Sequence, residues 1–60
     1  MTLQDLDTRL TNTDIYYKAR GGGWLKYTGD KIISDPTLPK REIGSITIDF
    51  ELERALVTLL

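Results

Sequence analysis

Five residues in one short stretch carry the side chains best suited to recognition: Tyr16, Lys18, Arg20, Trp24 and Lys26. Their two rings can stack on bases while their three cations neutralise phosphates, as on sheets that bind single strands. The same residue types anchor protein interfaces, where tryptophan, tyrosine and arginine carry much of the binding energy. The plain alternative is an ordinary solvated sheet face on which lysine and arginine stems cover the rings. The stretch lacks the Lys/Arg-Gly-Phe/Tyr aromatic signature of the common RNA-binding sheet, and the whole chain carries a net charge of −1. A protein interface is therefore the first reading of this face, a plain solvated surface the second and nucleic acid the third.

Catalysis has little to stand on. With no histidine and no cysteine, the commonest general base and the best nucleophile are missing, and so are the nitrogen and sulfur ligands that zinc prefers. Glu51 and Glu53 are a pair of carboxylates, but they flank an apolar alternation and read as a solvated strand face or as the acidic first turn of a helix. Gly21-Gly22-Gly23 is followed by Trp24 rather than by the Lys-Ser/Thr of a phosphate loop, so it reads as a hairpin tip. The segment Asp35–Arg41, with Pro36 and Pro39, reads as a crossover between strands, with a docking loop as the lesser alternative. No catalytic residue, cofactor, metal or small-molecule substrate is expected.

The elements that must position the five residues follow from local patterns. Leu3, Leu6 and Leu10 form one stripe of a short helix over residues 2–11, with Thr2 as its cap and Asp5 three residues on. Residues 14–20 and 24–28 are rich in β-branched and aromatic residues and read as two strands around the glycines. If the three glycines form the whole loop, Arg20 opposes Trp24, Ala19 opposes Leu25 and Tyr17 opposes Tyr27. Ile15, Tyr17, Ala19, Leu25 and Tyr27 then share an apolar face, and Tyr16, Lys18, Arg20, Trp24 and Lys26 share the other. In this register Tyr27 serves as an anchor only if the sheet packs between subunits. Gly29-Asp30 reads as a turn into a third strand, Lys31–Ser34.

Near the C-terminus, Ile46, Ile48, Phe50 and Leu52 alternate with polar residues, while Leu52, Ala55, Leu56 and Leu59 fit a helical stripe. The reading adopted is a strand at about 44–50 and a helix at about 51–60, capped by Asp49. The rival is one long strand with a bulge near Arg54. The fold class is thus α+β: a small antiparallel sheet of three to four strands with a short N-terminal helix and a C-terminal helix.

Sixty residues make a single domain, 1–60, whose lone core is marginal. Disulfides are excluded, so packing or association must make up the difference. Charge is segmented. Residues 1–15 carry Arg9 against Asp5, Asp7 and Asp14, a net of −2. Residues 16–41 carry Lys18, Arg20, Lys26, Lys31, Lys40 and Arg41 against Asp30 and Asp35, a net of +4. Residues 42–60 carry Arg54 against Glu42, Asp49, Glu51 and Glu53, a net of −3. The absence of cysteine, the acidic N-terminal residues and the lack of a long apolar run suggest a cytoplasmic protein with no membrane partner. The functional expectation is a small non-catalytic binding or regulatory module that works through a protein partner or as a homodimer. A nucleic-acid-binding accessory protein is the second class. A structural component of a larger assembly, inserting Leu59 and Leu60 into a neighbour, is the third.

Overall fold

The computed structural model describes all of residues 1–60. Its first helix, α1 (Leu3–Arg9), starts as the sequence implies. Asp5 N–H donates to Thr2 Oγ1 at 3.2 Å, and Thr2 N–H donates back to the Asp5 carboxylate at 3.1 Å. This reciprocal cap satisfies two donors that a helix end would otherwise leave unpaired. It also holds the Asp5 carboxyl below its ordinary pKa, because the backbone and hydroxyl hydrogen bonds of Thr2 favour the charged form. Leu3 and Leu6 are buried and Leu10 packs against the same core.

Two strands follow, β1 (Asp14–Lys18) and β2 (Leu25–Lys26), paired antiparallel with Tyr16 opposite Lys26 and Tyr17 opposite Leu25. The register is displaced by two residues from the all-glycine loop, so the connection runs from Ala19 to Trp24. Gly22 N–H donates to Ala19 O at 3.0 Å, and Gly21 adopts a φ of 77°, which suits glycine. A slip of two preserves the side-chain parity of a strand. The two expected faces therefore survive, although Ala19 and Arg20 lie outside the ladder.

Residues after β2 depart from the expected third strand. Gly29–Ser34 forms the short helix α2, with Lys31 N–H and Ile32 N–H both donating to Thr28 O. β2 offers only two residues of ladder, too little to template a further strand. A 3₁₀ turn (Leu38–Lys40) then brings the buried Leu38 against α1. Ahead of it, the Asp35 carboxylate accepts the Thr37 hydroxyl at 2.6 Å and the Thr37 N–H at 3.1 Å, and these bonds lower its pKa.

The chain ends in a hairpin of β3 (Ile43–Asp49) and β4 (Arg54–Leu59). The strand near 44–50 is therefore present, but the C-terminal helix is not, and neither is a single bulged strand. Asp49 does accept N–H groups, from Glu51 at 3.1 Å and Leu52 at 3.2 Å. Instead of propagating, that turn reverses at Glu53, whose φ is 50°. A helix would bury one stripe of this segment. As a strand, it buries Ala55, Val57 and Leu59 and pairs on both sides, with β1 and β3.

The strand order is β2-β1-β4-β3. β1 and β4 run parallel, from Asp14 beside Arg54 to Lys18 beside Thr58, so the sheet is mixed rather than antiparallel. The α+β class stands. Leu3, Leu6, Ile15, Tyr17, Leu38, Ala55, Val57 and Leu59 form one core on a single face of this sheet. No helix is long and apolar enough to cross a membrane.

Candidate functional site

The face opposite the core is built by alternation. β1 turns Asp14, Tyr16 and Lys18 away from the buried Ile15 and Tyr17, and β4 turns Arg54, Leu56 and Thr58 away from Ala55, Val57 and Leu59. Pairing sets Tyr16 beside both Leu56 and Lys26, and Lys18 beside Thr58. Trp24, immediately before β2, closes the group: Lys18 Nζ lies 4.9 Å from the centre of its ring. That separation is within cation–π range. Trp24 remains 46% exposed.

Four of the five expected residues, Tyr16, Lys18, Trp24 and Lys26, are thus brought together. Arg20 is not. It sits in the loop after β1, exposed, beside a shallow cavity it shares with Thr58, Leu59 and Leu60. Tyr27 belongs to the core side. Its ring meets that of Tyr17 edge to face, 6.3 Å between centres, and burial raises both phenol pKa values. Tyr27 therefore packs, partly buried, against the core and lies off the face that carries Trp24.

Sequence reasoning missed the acidic members of this face. Lys26 Nζ is 3.7 Å from Asp14 Oδ1, and Arg54 Nε is 3.5 Å from Asp49 Oδ2. Arg54 Nε is buried without a hydrogen bond, so the Asp49 carboxylate balances its charge without fully satisfying its N–H. Once β4 is recognised as the strand beside β1, Asp14 and Arg54 become neighbours. Without that pairing no local signal could have joined them.

Sequence reasoning also missed an apolar border. Ile46 and Ile48 lie on the core side of β3 but are only partly covered, and Phe50 and Leu52 project from the turn. Below them an open groove of about 580 Å³ runs between residues 10–13 and the β3–β4 turn, with Leu10, Ile48 and Phe50 as its apolar wall. The acidic groups at the groove are Asp49, already engaged by the turn and by Arg54, and Glu53. Nowhere do three or more His, Cys, Asp or Glu side chains converge as a metal site would require. Compared with known protein families, with curated proteins and with solved structures, the chain matches none.

Proposed function

We propose that this chain is a small non-catalytic binding or regulatory module that engages a protein partner through the bare face of its sheet. The observation that carries the reading is Trp24, half exposed and steadied by Lys18, on the same face as the neighbouring Tyr16 and Leu56 and where carboxylates sit among the cations. An aromatic anchor in a polar surround of both signs suits a protein surface. A strand of phosphates would meet Asp14 and Asp49 as well as Lys18 and Lys26, and the carboxylates would repel it. Orientation on the partner falls to Lys18, Lys26 and, from the loop, Arg20. A cytoplasmic setting belongs to this reading, and the cysteine-free composition is compatible with such a reducing compartment.

Trp24 is the only tryptophan, so its fluorescence reports directly on the face. Titration with single- and double-stranded oligonucleotides at low and moderate salt should leave the signal unchanged. Saturable quenching that weakens as salt rises would transfer the face to nucleic acid. The companion measurement is affinity capture with Trp24→Ala as the control: the variant should keep its circular dichroism and lose the partner. An unfolded variant would show instead that Trp24 supports the fold.

A structural role in an assembly rests on different residues from those expected. Leu59 is buried within the sheet, so of the last two leucines only Leu60 is exposed.

A further inference from the structure

The outer edge of β3 points to a second copy of this chain. β3 has a strand on one side only, β4. Its first residues are already covered: Leu3 N–H donates to Arg41 O at 3.2 Å, and Ile43 N–H donates to Met1 O at 2.9 Å. From Gly44 to Phe50 no segment of the chain hydrogen-bonds to its outer side. This free stretch contains no lysine and no proline, the usual devices that stop an edge from recruiting another strand. Ile46, Ile48 and Phe50 are exposed along it, Phe50 at 86%.

We infer that two copies pair antiparallel through these edges, with Thr47 on the two-fold axis. Three observations converge on that arrangement. Charge selects the direction: Lys40 and Arg41 precede β3 with Glu42 already held by the N-terminal ammonium, whereas Glu51 and Glu53 follow it and outnumber Arg54, so antiparallel pairing brings the basic end of one copy to the acidic end of the other, and parallel pairing would set like beside like. Burial selects the parity, because residues directly opposite share a face and the core-side isoleucines must meet isoleucines. Length selects the register, because Thr47 is the midpoint of the free stretch. Ile46 of one copy then opposes Ile48 of the other, twice, and Phe50 reaches the second copy's Gly44. The product is a continuous sheet of twice four strands, ordered β2-β1-β4-β3-β3-β4-β1-β2. It closes after two copies because the exposed outer strand is then β2, only two residues long and carrying Lys26. A standard interface of about 800 Å² per partner would cover roughly a fifth of the 4293 Å² surface of one copy, which requires Phe50 and Leu52 to join the contact. The pairing edge is separate from Trp24, which lies toward the opposite edge of the sheet, although Thr47, opposite Leu56, shares the bare face; the dimer and the Trp24 contact are therefore read by different variants.

The test is sedimentation equilibrium from micromolar to millimolar protein, with circular dichroism to confirm folding. The mass should double over that range. Thr47 is exposed on the bare face, so Thr47→Lys and Thr47→Glu should fold; each alone should weaken the dimer roughly fivefold by placing like charges together at the axis, and an equal mixture should restore it. In this cysteine-free chain, Thr47→Cys should cross-link under mild oxidation, because opposed antiparallel residues lie within disulfide reach, while Thr8→Cys on α1 should not. A single monomeric mass at every concentration overturns the proposal. So does a dimer indifferent to Thr47→Lys, or cross-linking that is equal at Thr8 and Thr47. Trp24→Ala should leave the dimer intact.

Discussion

β2 and β3 both end the sheet, but the chain treats the two edges differently. β2 is two residues long, carries Lys26, and is flanked by the glycine loop and α2. β3 is seven residues long and alternates apolar with small polar side chains. Its only protections are at its ends. Met1–Leu3 lie along Arg41–Ile43, and a bulge interrupts the pairing between Ile43 and Ser45. Gly44 suits that bulge, since a Cβ there would crowd Thr58 O and a Leu60 methyl carbon at 3.2 Å. A guarded edge can end a monomer, whereas an open apolar edge implies that something covers it.

Both edges depend on the strands between them, and the largest effect should come from there. Val57 is fully buried in β4. Val57→Ala removes two methyl groups from a closed core and should cost about 2 kcal/mol in urea denaturation. Leu25→Ala on the guarded edge, where the side chain is half exposed, should cost clearly less; equal losses would mean that β2 is more integral than its length suggests.

Thr2→Ala should come next. It removes the reciprocal cap of α1, at about 1 kcal/mol, and loosens the segment that covers the start of β3. Acid should do the same. The Asp5 carboxyl is lowered below 3.8 in the folded chain, so its contribution is complete above that pH and is lost as pH falls through the lowered folded value. Asp35 acts in the same direction. Thermal melts between pH 2 and 5 should show stability falling with acid, and a smaller fall in Thr2→Ala. An identical acid slope in the variant would show that the Thr2 cap is not what lowers the Asp5 carboxyl.

Hydrogen exchange compares the edges directly. Amides of β4 should be the slowest in the sheet, because it is paired on both sides. Those of β2 should be fast at any concentration, whereas outward amides of β3 should slow as protein concentration rises. Protection in β3 that ignores concentration would remove the contrast between the edges. The smallest effect belongs to Lys26→Gln. Its pairing with Asp14 is exposed on both sides and should be worth less than about 0.5 kcal/mol in the same urea experiment.

Several features were legible because their causes lie within a few residues. Thr2 and Asp5 announce the cap, and Leu3 and Leu6 the helix face. The alternation around Ile46 and Ile48 announces a strand. In the first hairpin the division of faces held even though the register moved by two, because burial of Ile15 and Tyr17 depends on parity and not on loop length. The grouping of Tyr16, Lys18, Trp24 and Lys26 was readable for the same reason.

Residues 51–60 were not legible in this way. Leu52, Ala55, Leu56 and Leu59 satisfy a helical period, while Ala55, Val57 and Leu59 satisfy a period of two. Local propensity cannot choose between them. The choice is made by β1, some forty residues earlier in the chain, and by β3, each of which pairs with β4 along most of its length. That pairing buries three side chains and places Asp14 beside Arg54, and it leaves β3 on the outside. Composition and spacing could specify the helix cap, the strand parity and the aromatic-basic face, which are short-range matters. The parallel centre of the sheet and the open edge of β3 came only from contacts between distant segments, whose burial outweighs the local preference for helix.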